Sequence, residues 1–298
     1  MECLFCYRQM RKNEHGALGD SRRYIPSRHI TTVPIGTGYS QLFTIFVLTY
    51  QKPMKPVIEI WKKGRFTYKK IVSDLFTRII KDASRNAIRF IENTNYTTFL
   101  YGERQMNSIL APAFHKHTDA MVLEYPSTRK IGSKNHKART DYYCYCHDGS
   151  GKGYRLFVEL KSNWQRLPLS KGFNKVNIEL YNEACNQIKG LINEIRGKNK
   201  AFYSGESIIR ASMISIALYT PGTYDKEIDF DEVIKVAAND FTYDTPEMDC
   251  NFIALWKIDE ETKKELRKHK EWEDDNYTLH GILYVCHIMK PYDTKNKK

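Results

Sequence analysis

The stretch RTDYYCYCHDGSGKGYRLFVELKSN, residues 139–163, decides how this chain is read. Its flanks are dense in Tyr, Phe, Val and Leu, and its centre, Asp148 to Gly153, is a run of turn formers, so it reads as two β-strands joined by a glycine-rich turn. Side chains alternate across a strand. Tyr154, Leu156, Val158 and Leu160 therefore share one face of the second strand, and Arg155, Phe157, Glu159 and Lys161 share the other. With Asp141 opposite on the partner strand, two carboxylates and a lysine converge on one spot. Two carboxylates suit Mg²⁺ or Mn²⁺, hard cations held by acidic oxygens plus substrate phosphate oxygens. A lysine beside them can hold an attacking water or offset charge developing on a phosphate. A salt-bridged pair on a solvated strand face is the bland account of Glu159 and Lys161.

These residues resemble the PD-(D/E)xK phosphodiesterase superfamily, the restriction-endonuclease-like nucleases. In that family an Asp, followed by a hydrophobic strand carrying (Asp/Glu)-x-Lys, forms the metal site. The match here is Thr140-Asp141 and Glu159-Leu160-Lys161, with Thr140 in place of the family's proline; it extends over residues 96–220. The resemblance implies an α/β fold with an αβββαβ core, a mixed central sheet flanked by helices, and N- and C-terminal elaborations. It implies a Mg²⁺-dependent nuclease, with Mn²⁺ able to substitute, in which Asp141 and Glu159 bind metal and Lys161 positions the water. Glu103 is the candidate for the glutamate that an upstream helix commonly supplies, and Gln187 for the glutamine on the helix after the (Asp/Glu)-x-Lys strand. An ordinary helix-surface glutamate and a helix-boundary glutamine are equally economical readings of those two. By the family's habit the substrate is DNA rather than RNA, cut endonucleolytically, and the role is restriction or other defence against foreign DNA. The alternative is a non-catalytic nucleic-acid-binding protein on a nuclease-like fold.

Composition frames these expectations. The 298 residues are 41% hydrophobic and 28% charged, ordinary for a globular chain able to bury a full core. Lys and Arg number 47 against 35 acidic residues, a net charge of +12 that suits a polyanionic partner. Arg129, Lys130, Lys134, Lys137 and Arg139 cluster immediately before Asp141, where a phosphate backbone should lie. Tyr142, Tyr143 and Tyr145 are interleaved with the site and either stack bases or pack. Seven cysteines at no framework spacing point to a reducing, cytoplasmic setting; apolar runs are too short for a membrane span, and the start lacks the plan of a secretory signal. Cys3-x-x-Cys6 is at most half of a zinc site. A homodimer is one option for the assembly.

Two regions are expected: an N-terminal accessory region, 1–95, and the nuclease-like core with its C-terminal extension, 96–298. In the first, Gln41–Tyr50 and Val57–Trp61 read as strands. Val72, Phe76, Ile79, Ile80, Ala83 and Ala87 recur at helical spacing between Tyr68 and Asn93. In the second, Thr97–Phe114 reads as a helix that places Glu103 beside Phe99, Met106 and Leu110. His115-Lys116-His117 reads as polar loop, with His117 and Asp119 second-rank metal candidates. Asp119–Tyr125 is a short strand, Ser162–Asn177 a loop, Ile178–Arg196 a helix and Ser212–Tyr219 a buried strand. Phe230–Ala238 and Glu260–Glu273 read as helices, Asn251–Ile258 and Gly281–Met289 as strands.

Overall fold

The computed structural model describes residues 56–63, 69–94, 102–131, 134–147, 151–191, 207–222, 227–243, 249–260, 262–263, 277–290 and 292–293. All of these lie in one compact unit, Pro53–Lys298. The Cys3–Cys6 pair, the Gln41–Tyr50 strand and most of the Glu260–Glu273 helix lie outside the described residues.

The chain is mixed α/β. Its elements are β1 (Val57–Lys62), α1 (Lys69–Thr94), α2 (Glu103–His117), β2 (Ala120–Ile131), β3 (Lys134–His147), β4 (Gly153–Arg166), α3 (Lys175–Gly190), β5 (Ser207–Pro221), α4 (Phe230–Asp240), β6 (Phe252–Lys257), β7 (Tyr277–Ile288) and β8 (Tyr292–Asp293). Seven strands form one sheet in the order β1-β6-β7-β5-β4-β3-β2, and β8 pairs with β5 beside them. Among the strands named, β4 and β5 alone pair in parallel, joined by the α3 crossover, and the other strand pairings are antiparallel. From α2 to β5 the order is helix, three strands, helix, strand.

Period-two alternation divides the core between the two faces. Leu156, Val158, Leu160, Ile209, Ala211 and Met213 join the buried residues of α1 and α2 in one cluster. Phe157, Ile208, Ile214, Ile216 and Leu218 join those of α3 and α4 in another. The expected α1 stripe, Val72, Phe76, Ile79, Ile80, Ala83 and Ala87, is buried throughout. Each buried Ile or Phe contributes on the order of 1.5–3 kcal/mol before entropy is counted. β5 and β7 are covered on both faces and so read as nearly continuous apolar runs. Where β6 and β7 pair at Lys257 and Gly281, a Cβ on Gly281 would stand 2.6 Å from the Trp256 carbonyl oxygen, which demands glycine there. β1 pairs with β6 and α1 packs in the first cluster, so both share the compact unit with the strands that follow.

Several elements are longer than the sequence suggests. His115-Lys116-His117 is the last turn of α2, not a loop. Its side chains are anchored there: His117 Nε2 lies 2.6 Å and Lys116 Nζ 2.8 Å from the Asp82 carboxylate of α1. β2 runs on to Ile131, β3 begins at Lys134, and β4 continues to Arg166. α3 begins at Lys175 because Asn174 caps it, its side-chain oxygen accepting from the Asn177 amide at 2.8 Å.

Candidate active site

Register fixes the heart of the site. β3 and β4 pair from His147↔Gly153 to Tyr142↔Val158, so Asp141 and Glu159 occupy the next facing positions, where the ladder stops. The Asp141 carboxylate fills that gap, Oδ2 accepting the Leu160 amide hydrogen at 2.7 Å. Asp141 is 9% exposed and Glu159 3%. Charged groups this deep require partners or counter-ions to offset desolvation.

Lys161, two residues beyond Glu159, lies on the same side of β4. Its ammonium is 3.3 Å from Glu183 Oε1 of α3 and 3.9 Å from Glu103 Oε2 of α2. α2 and α3 cover opposite faces of the sheet, yet both deliver a carboxylate to one ammonium. This is possible because β3 parts from β4 at this point and leaves the sheet open. Burial pulls the Lys161 pKa down, but the charges of Glu103, Glu183 and Glu159 more than offset this and raise it above the ordinary lysine value. Lys161 is thus a fixed cation at neutral pH. Glu103 moves upward as well: burial is the main cause, Lys161 opposes it, and Asp141, Glu183 and Glu124 add to it.

The neighbouring elements set these positions. Asn177, fully buried in the first turn of α3, accepts from Asn163 Nδ2 at 2.8 Å and donates to the Trp164 carbonyl and Gln165 Oε1, both at 3.1 Å. That network ties α3 to β4 just past Lys161 and aims Glu183 at it. One helical turn further, Gln187 Nε2 donates to Glu183 Oε1 at 2.8 Å, while Gln187 Oε1 is buried without a hydrogen-bond partner. An orphaned carbonyl oxygen costs roughly 1–3 kcal/mol unless something else binds it.

The structure therefore brings Glu103, Asp141, Glu159, Lys161 and Gln187 into one neighbourhood. It adds two carboxylates that the sequence did not single out. Glu183 could have been suspected from its place four residues before Gln187 on one helix face. Glu124 faces Asp141 across the β2–β3 pairing at a position where the regular register is interrupted, and its φ is +52°. Glu124 Oε2 is 3.7 Å from Arg139 Nη1. Among the described residues, no three His, Cys, Asp or Glu side chains converge closely enough to enclose a metal ion as they stand. The donor set nevertheless has the right chemistry for a hard cation: buried carboxylates on adjacent strands and the unpartnered oxygen of Gln187.

The other candidates go elsewhere. His117 serves the α1–α2 joint, and Asp119 Oδ2 accepts from the backbone amide of His147 at 2.9 Å and lies 2.9 Å from its Nδ1. Tyr142 is buried and stacks on Phe114 at 4.4 Å, and Tyr143 packs against Tyr125 and Phe157, so neither is a base-stacking platform. Burial pushes the Cys144 thiol up to about 12 and the Cys146 thiol up to about 11, which keeps both protonated. Lys134, Lys137 and Arg139 are exposed on β3, and Arg129 and Lys130 lie on the paired strand β2.

No family model matches the chain. No curated protein matches it either. Among solved structures it is similar to the one reported as "Crystal structure of SSO0001", with 14% identity over 58% of this chain and 67% of that one and a TM-score of 0.17. A likeness at that level carries no argument about fold or function. Among the described residues, no helix is long and apolar enough to cross a membrane.

Proposed function

We propose that this protein is a metal-dependent nuclease of the restriction-endonuclease-like class, hydrolysing phosphodiester bonds of DNA with Mg²⁺. The observation that carries this reading is the meeting of Asp141, Glu159 and Lys161 where β3 leaves β4, with carboxylates from α2 and α3 closing on the same lysine. The helix-strand-strand-strand-helix-strand order around it supports the class.

Asp141 and Glu159 would hold the ion, and Glu103 and Gln187 Oε1 are the further oxygens within the neighbourhood. When bound, the ion would polarise the scissile phosphate and lower the pKa of a water. The chain's own groups supply the rest. Lys161, held charged by its carboxylate neighbours, positions the nucleophilic water and offsets negative charge growing on the phosphate. Glu103, with its raised pKa, is better suited than an ordinary glutamate to accept a proton at neutral pH. Glu183 restrains the Lys161 ammonium, and Gln187 restrains Glu183.

The test is incubation of plasmid and single-stranded DNA with Mg²⁺, Mn²⁺ or EDTA, using the wild-type protein and Lys161→Ala. Cutting that needs the metal and is lost in the variant is expected. Salt-sensitive binding without cutting under any metal would replace the enzyme with a nucleic-acid-binding protein. A role in defence predicts that an expressing strain restricts phage or plasmid.

A further inference from the structure

β2 and β3 stay paired for seven register positions beyond the point where β3 leaves β4, from Tyr125↔Thr140 to Ile131↔Lys134. At about 3.3 Å per residue they form a two-stranded arm of roughly 23 Å. Residues 125–140 contain five Lys or Arg and no Asp or Glu. Lys134, His136, Lys137 and Arg139 are exposed. Residues at spacing two share a strand face, so Lys137 and Arg139 lie in one row with Asp141. Thr128 faces Lys137 and Pro126 faces Arg139 across the ribbon, and these residues with Ser127 and Ala138 line a shallow groove of about 530 Å³.

We infer that this arm is a duplex-docking ribbon, and that the substrate of the site is double-stranded DNA. The inference rests on the nuclease reading above and names its substrate class. Three features select the occupant. The charge is of one sign, which attracts a polyanion and repels a second copy of the same arm. Between residues 126 and 140 there is no Tyr, Phe or Trp, whereas single-strand binding draws its energy from bases stacked on aromatic side chains. A two-stranded ribbon fits the major groove of B-form DNA, about 12 Å wide, while the deep, narrow major groove of duplex RNA excludes it. The four residue steps from Lys137 to Asp141 span about 13 Å. At 3.4 Å per step along one strand, a backbone held by the arm reaches the site within about four nucleotides.

The test measures binding in EDTA, where cutting does not interfere, by fluorescence anisotropy on a 30-base-pair DNA duplex, one of its strands and a duplex RNA of the same sequence. Salt is varied from 50 to 200 mM. The wild-type protein is compared with Lys137→Ala/Arg139→Ala and with Lys137→Gln/Arg139→Gln, whose thermal unfolding verifies the fold. The expected result is at least a tenfold preference for the DNA duplex. The salt dependence, log K against log salt, should be less steep by about 2 in both variants. Unchanged salt dependence in the variants, or equally tight binding of the single strand or the RNA duplex, would overturn the inference. The two claims separate cleanly. Reduced salt dependence without any Mg²⁺-dependent cutting upholds the arm and removes the nuclease, whereas cutting with unchanged salt dependence does the reverse.

Discussion

Replacing Lys161 with methionine removes the charge on which the carboxylates of Glu103, Glu183 and Glu159 act while preserving the unbranched stem. The ammonium is 15% exposed, but its partners Glu183 and Glu103 are 51% and 37% exposed, so each ion pair is worth only about 0.5 kcal/mol. Unrelieved repulsion among Glu103, Glu183, Asp141 and Glu159 adds to that loss, since deleting one partner leaves buried charge uncompensated. Together these give a destabilisation of about 1–2 kcal/mol at pH 7, or roughly 2–4 °C in Tm for a chain of this size. The effect depends on pH with a definite sign. Glu103 has a folded pKa above its ordinary 4.5, so its contribution to stability is full below that value and is lost as pH rises through the folded pKa. Without Lys161 that pKa rises further, so the deficit of the variant is smaller at acid pH and grows as pH rises through the Glu103 titration. Urea unfolding of both proteins at pH 4 and pH 7 measures it. An equal deficit at the two pH values, or a gain in stability at pH 7, would refute the coupling of Lys161 to these carboxylates. In a cleavage assay the same variant should lose about 100- to 1,000-fold in rate, the usual cost of removing a group that stabilises transition-state charge.

Asp82→Asn should destabilise the protein by about 2 kcal/mol at pH 7, since Asp82 receives Arg85 at 2.7 Å, Lys116 at 2.8 Å and His117 at 2.6 Å. Burial raises the Asp82 pKa, but these donors outweigh it and hold the carboxyl well below the usual range; its contribution is therefore present above about pH 4 and fades as pH falls through the folded value, which acid titration of Tm will show. Phe114→Ala removes a fully buried ring stacked on Tyr142 and set edge-on to Phe76, and should cost about 3–5 kcal/mol by urea unfolding. Glu124→Gly relieves a left-handed backbone conformation in a non-glycine residue and should raise stability by up to about 1 kcal/mol; an unchanged or lower Tm would show that no strain is stored there.

Much of the framework was legible because its signals are local. The turn formers between β3 and β4 fixed a hairpin, and Gly151, at φ +80°, supplies the conformation that only glycine adopts freely. Strand alternation then placed Glu159 and Lys161 on one face and Asp141 opposite, as the register has it. The stripe of α1 was readable from spacing alone. What escaped has non-local causes. The arm's residues carry no alternating apolar pattern: beyond the β3–β4 ladder β3 pairs with β2 alone, and Pro126, Lys134, His136, Lys137 and Arg139 are exposed. His115 to His117 read as loop because their helical turn is secured by Asp82, 35 residues away from His117. Spacing gives only the helix face that Glu183 shares with Gln187; that α3 carries Glu183 to Lys161, and that the charge of Glu124 acts on Glu103, is set by tertiary packing. The start of α3 is a local signal, since Asn174 is a capping residue type immediately before Lys175.

That Asp141 and Glu159 together take a divalent cation is tested most directly by calorimetric titration of the protein with Mn²⁺, alongside Asp141→Asn and Glu159→Gln. The wild-type protein should bind the ion with measurable heat, and each variant should weaken binding at least tenfold while unfolding at a temperature no lower than the wild type. Equal binding by all three proteins, or none by the wild type in the presence of duplex DNA, would contradict the metal site at its centre.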